Sequence, residues 1–195
     1  MPATENPLPL AVAAADAAAL LELFGRAGAS NGCWCRYWLL GPAYHRRDRQ
    51  HNREDMVAEL LGAAAPAPGM IATAPDGTPV GWARLSPRAE LGWLRRRFGE
   101  RLPPGRGGWA LPCFFVRPRF RRRGVMTALV EAAVAVCAAH RVPWVEAYPI
   151  DPAVAGATRN RFPGVLSTFR DAGFTEVGRL APDRAVVRIE PADRG

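Results

Sequence analysis

Three arginines in a row, Arg121-Arg122-Arg123, stand directly before Gly124, and an apolar-periodic segment runs on from Val125 without a break. Before them an apolar run, Cys113 to Val116, ends at Arg117-Pro118. The order is strand, basic glycine turn, helix, and it makes an anion cradle. The first amides of a helix have no intrahelical partner, and the helix dipole leaves that end partly positive. A phosphate placed there is held by backbone N–H groups. Gly124 has no Cβ, so the chain can turn tightly and approach a bulky ligand. Arginine side chains add charge-assisted, often bidentate bonds to phosphate oxygens. The bland alternative is an arginine-rich surface turn.

The elements that must position this turn are legible in the spacing. Val125, Leu129, Ala133 and Cys137 recur every four residues, with Val130 and Val134 beside them, a stripe that lies on a sheet. Ala11 to Gly25 and Arg53 to Leu61 read as earlier helices, and Gly164 to Ala172 as a last one. Met70–Thr73 and Val80–Leu85 read as two strands around the Asp76-Gly77 turn. Trp109–Val116 and Val142–Pro149 are the fourth and fifth strands, and Thr175–Arg179 and Ala185–Ile189 close the chain. Residues 63–69, with Pro66 and Pro68, are a breaker. Residues 1–10 read as a flexible tail and 11–195 as one domain, which suits 195 residues.

Composition narrows the classes. The chain is 49% hydrophobic and 23% charged, enough to bury a core. No apolar run is long enough to span a bilayer, and no basic leader precedes the alanine-rich segment, so a cytoplasmic protein with no membrane role is expected. The net charge is +8 and every base is arginine. Together with abundant alanine and proline this points to a GC-rich genome. No RNA motif or zinc-finger spacing accompanies it, so no nucleic-acid partner is expected. Cys33-Trp34-Cys35 with His45 and His51 could supply four zinc ligands, but the spacing fits structural zinc poorly. Thiols packed in an aromatic cluster are the simpler reading, and no metal is expected.

The segment Val116 to Met126 resembles the acetyl-CoA signature of the GNAT family of N-acetyltransferases. That signature is Arg or Gln, two residues, Gly, one residue, then Gly or Ala; here it runs Arg121, Gly124, Met126. Met126 departs from the small residue usual there. The Pro79-Val80-Gly81-Trp82 strand also looks like the family's third. The resemblance is strongest from Pro79 to Ile189 and implies an α/β (α+β) fold. Its mixed, mostly antiparallel central sheet is flanked by helices, and strands four and five splay apart. Residues 87–107 are then an insertion between strands three and four, either covering the acceptor pocket or forming a surface excursion.

The resemblance implies acetyl transfer from acetyl-CoA, the cosubstrate, to a primary amine of a small molecule by direct attack. Pantetheine would lie along Phe114, Phe115 and Val116, and the cradle Arg121, Arg122, Arg123, Gly124, Val125, Met126 and Thr127 would hold the pyrophosphate. Tyr37, Trp38, Trp82 and Arg84 are expected to contact the acceptor; for Tyr37 and Trp38 a core role is the alternative. An ammonium with pKa near 10 must lose its proton, a cost of roughly 4 kcal/mol at neutral pH. A carboxylate usually helps. The fourth strand has none, so Glu146, with Tyr148 two residues on, is the candidate base; a structural strand carboxylate is the alternative. Many family members protonate the leaving thiolate with a tyrosine four residues before Gly-Phe, and here that position is Phe169. A CoA-binding module without catalysis and a protein N-acetyltransferase are the rival readings. Homodimers are common in the family.

Overall fold

The computed structural model describes residues 8–62, 68–158 and 160–191. Residues 1–7 of the expected tail and 63–67 of the breaker lie outside them; Leu8 and Leu10 pack against the main core. The first expected helix is divided. Ala11–Ala14 form strand β1, antiparallel to β2 (Gly69–Thr73), with Ala11 opposite Thr73 and Ala14 opposite Met70. Alanine favours helix, but a free sheet edge overrides a weak local preference. The helix starts where Asp16 caps it: its side chain accepts from Ala19 N at 2.8 Å, and α1 runs Ala17–Phe24. A short α2 (Tyr37–Leu40) and a tight turn over 41–46 follow. Next comes α3 (Arg49–Leu61), which begins before the expected Arg53 because Asp48 caps it.

The remaining elements are β3 (Pro79–Arg84), β4 (Ser86–Pro87), α4 (Gly92–Phe98), β5 (Trp109–Leu111), β6 (Phe114–Val116), α5 (Val125–Ala139), β7 (Val145–Ala147), α6 (Leu166–Asp171), β8 (Thr175–Ala181) and β9 (Arg184–Ile189). They form two sheets, ordered β1-β2-β3-β6 and β4-β5-β7-β9-β8. The expected fourth strand is broken at Pro112-Cys113, where proline has no N–H to give a ladder. Before the break β5 pairs in parallel with β7, Trp109 opposite Val145 and Leu111 opposite Ala147. After it β6 pairs antiparallel with β3 instead. Strands four and five therefore part beyond Leu111. The other named pairings are antiparallel.

The stripe on α5 meets the sheet as its spacing requires: Val125, Leu129, Val130, Ala133 and Cys137 are buried. Each large one contributes about 1.5–3 kcal/mol by leaving water. In the segment 87–107, Leu91 and Leu94 bury against Trp38 and Tyr148. This segment thus props α2 from behind. Among the described residues no helix is long and apolar enough to cross a membrane.

Candidate active site

The parting leaves one edge of β6 unpaired. Arg84 N donates to Cys113 O and Arg117 N to Val80 O, each at 2.9 Å, so 113, 115 and 117 turn their backbone groups toward β3. In an antiparallel ladder the residues between them, Phe114 and Val116, turn theirs into the gap. There the Phe114 N–H donates to Phe162 O at 2.6 Å, and Val116 O accepts from Arg121 Nε at 3.2 Å. Of the backbone expected to carry pantetheine, Phe115 is committed to β3, Phe114 is bridged to the 160–163 loop, and the Val116 N–H faces the gap.

Beyond β6 the chain makes its basic turn. Arg122 (φ 61°) and Gly124 (φ 81°) both adopt the left-handed region, which glycine reaches without strain. The first backbone bond of α5 is Ala128 N to Gly124 O at 3.0 Å. The Val125, Met126 and Thr127 amides therefore keep no helical acceptor, and no side chain caps this end. A cleft of about 660 Å³ runs along β6 to this helix end, and every residue expected to hold the donor lines it except Arg123. Met126, the departure from the signature, rests on Gly164, where an added Cβ would overlap Met126 Cε. The missing side chain across the cleft makes room for the large one. Open amides, Arg121 and Arg122, and the Val116 N–H at the strand edge suit a diphosphate followed by an amide-bearing arm.

A second cavity, about 360 Å³, lies on the other side of Phe114 and Phe115. Phe114, Phe115, Asn160 and Phe162 line both spaces, so they adjoin at the break in the fourth strand. Tyr37 and Trp38 line this second cavity. Trp38 is also core, its ring 5.4 Å from that of Tyr148. Tyr44 and His45, from the turn after α2, stack at 3.9 Å on the same wall. Burial raises the Tyr44 pKa, with Asn31 opposing it by donating to the Tyr44 hydroxyl at 2.8 Å. No residue of 87–107 lines either space.

Two expectations are corrected by the packing. Trp82 and Arg84 are fully buried and line neither cavity. The Trp82 indole N–H donates to Cys35 Sγ at 3.1 Å, and Arg84 pairs with Glu59 of α3. They share a strand face, but α1 and α3 cover it. Glu146 and Tyr148 are likewise fully buried and away from both cavities. Glu146 Oε1 accepts from Arg188 Nη2 at 2.6 Å and Nε at 3.1 Å. Arg88 Nη1 reaches both carboxylate oxygens at 3.3 Å, and the Tyr148 hydroxyl donates to Oε2 at 3.2 Å. Burial, then the Glu146 charge, push the Tyr148 pKa well above its ordinary value. Glu146 ties β7 to β9 and to the segment 87–107, and it is fully buried. Phe169 is buried against Phe114 and Phe174.

Cys33, Cys35 and Cys113 line the second cavity. Cys35 and Cys113 have their sulfurs 3.4 Å apart. That contact, aided by the Arg84 charge, holds Cys35 below the usual thiol range against the opposing effect of burial. The same contact and burial push Cys113 well above it. Burial, then Cys35, push Cys33 up to about 12. Among the described residues no three His, Cys, Asp or Glu side chains are grouped to hold a metal. Thiolate, not thiol, is the nucleophile. Cys33 is therefore expected to react with iodoacetamide near pH 8 at least about tenfold more slowly in the folded protein than in the unfolded chain. Peptide mass spectrometry over a time course checks this, and equal rates would refute the shift.

Sequence reasoning did not single out Tyr44, Asn160, Phe162 or Arg184 as site residues. Asn160 and Phe162 sit in a polar connection where one signal was available, an aromatic residue wedged between Arg161 and Pro163. A sheet that parts at a broken strand, with an open helix N-terminus at the parting, defines an α/β fold with an anion-accepting cleft at the break. A model of the acetyltransferase (GNAT) family matches residues 31–155, and the chain belongs to that family, whose members carry out acetyl-CoA-dependent acetyl transfer. No curated protein matches the sequence. Among solved structures, the chain is similar to PaiA N-acetyltransferase from Thermoplasma acidophilum, determined in complex with coenzyme A. The identity is 11% and the TM-score 0.58, over 94% of this chain and 99% of that one. It is also similar to a GCN5-related N-acetyltransferase from Kribbella flavida, at 18% identity and TM-score 0.56 over 93% and 97%. These likenesses establish the fold.

Proposed function

We propose that this chain moves the acetyl group of acetyl-CoA to a primary amine of a small molecule by direct attack, working in the cytoplasm. The observation that carries the reading is the junction of the two spaces at Phe114, Phe115, Asn160 and Phe162. A thioester brought along β6 would present its carbonyl there, and an amine in the second cavity would meet it. The size of that cavity, about 360 Å³, suits a small acceptor. Bound acetyl-CoA supplies the activated acyl group. The chain positions it through the Val116 N–H, the open amides of α5, and Arg121 and Arg122. Among the described residues no carboxylate lines the acceptor wall; His45, the hydroxyls of Tyr37 and Tyr44 and the thiols of Cys33, Cys35 and Cys113 are the groups there able to exchange a proton.

The test is release of free CoA thiol from acetyl-CoA with and without a panel of amines. Amine-dependent release with intersecting initial-rate lines is expected. Tight CoA binding with no acceptor-dependent release supports the non-catalytic module, which the buried Glu146 and the Phe169 position favour. Stoichiometric release before any amine is added would place the acetyl group on a thiol such as Cys35 and overturn direct attack.

A further inference from the structure

One charged side chain stands out in the acceptor cavity. Among its described lining residues, Arg184, at the start of β9, is the only arginine, and no aspartate or glutamate accompanies it. Its guanidinium forms no hydrogen bond or ion pair with the described residues; its contact is the face of Trp38, 5.7 Å from the ring centre. Burial lowers its pKa, with Asp183 and Tyr37 acting the other way. Neighbouring arginines are treated differently by the fold. Arg36 and Arg84 share Glu59, Arg88 and Arg188 share Glu146, and Arg179 holds Asp151 and Glu176. Desolvating a cation without a partner is unfavourable, and the fold supplies a carboxylate to each of the others. At Arg184 the place of that carboxylate is the cavity itself.

We infer that the acceptor is an amino carboxylate, its carboxylate on the Arg184 guanidinium and its amine toward the Phe114–Phe115 edge where the donor cleft opens. This rests on the acetyl-transfer reading of the same site. The planar guanidinium fork matches a carboxylate with two parallel hydrogen bonds. The aromatic rings of Tyr37, Trp38 and Tyr44 line the same cavity, suited to the apolar part of such a molecule. Among the described residues the wall carries no carboxylate to hold an ammonium, and attack needs the neutral amine.

The experiment compares kcat/KM for pairs differing only in the carboxylate: phenylalanine with phenethylamine, and γ-aminobutyrate with propylamine. Wild type and Arg184→Gln are measured, with Tm and the Kd for CoA as controls on folding and on the separate donor cleft. The wild type is expected to prefer the carboxylate-bearing member of at least one pair. In Arg184→Gln that preference should fall by roughly 10- to 100-fold, the worth of a hydrogen-bonded charge, with Tm and the CoA Kd unmoved. A wild-type preference for the decarboxylated member of both pairs overturns the inference, as does a variant that slows both members alike. If no amine of either kind releases thiol, the transfer reading fails by itself. Calorimetry with phenylacetate on the CoA-loaded protein then decides the subsite. Binding lost in Arg184→Gln supports it; equal binding, or none to the wild type, refutes it.

Discussion

Gly124→Glu should weaken CoA binding at least about a hundredfold, the largest single effect expected on ligand affinity. Two costs coincide at that position. Gly124 holds φ 81° directly before α5, a conformation that costs an L-residue roughly 1–2 kcal/mol. The new carboxylate would also lie beside open amides meant for a diphosphate, and like charges placed together at an interface cost several kcal/mol. A hundredfold loss corresponds to about 2.8 kcal/mol, within the sum of those two. Gly124→Ala separates them: it keeps the backbone cost, introduces no charge, and should lose roughly tenfold or less. Isothermal calorimetry with CoA reads both. Glutamate binding as well as glycine would mean that the diphosphate lies elsewhere and that the cleft has been misassigned.

Glu146→Ala should be the most damaging change to stability, lowering it by about 3 kcal/mol, the lower end for breaking a buried ion pair. The carboxylate is fully buried and gathers Arg88, Arg188 and Tyr148 from three parts of the chain. Removing it leaves two guanidinium groups and a buried hydroxyl short of an acceptor. Their backbone acceptors, Pro103 O for Arg88 and Pro104 O for Arg188, soften the loss. For a chain of this length the change lowers Tm by roughly 6–12 °C. The measurement also separates the two roles the residue can have. A structural strap gives a lower Tm, while turnover per folded molecule survives at a temperature where the variant is native. A general base gives an intact Tm with turnover abolished, and that result would restore Glu146 to the chemistry.

Legibility followed the range of the interaction. The strand, glycine turn and helix start at Gly124 could be read directly because they are neighbours in the chain. The α5 stripe was legible for the same reason, since Val125 through Cys137 repeat with the helix period. β1 was not. Its four residues, Ala-Val-Ala-Ala, carry no strand signal, and their partner β2 lies far along the chain at Gly69–Thr73. Strand alternation places Trp82 and Arg84 on one face. It could not say that α1 and α3 cover that face while the second cavity lies elsewhere.

By itself, then, the sequence determined the family, because the arginine-glycine turn that carries the resemblance is written in neighbouring residues, and the parted strands came with the family. Only the tertiary structure decided which side chains line the second cavity. Whether a charged side chain serves a ligand or the fold depends on which opposite charge the packing brings to it. Packing gave Glu146 two arginines and gave Arg184 an aromatic face beside an open cavity.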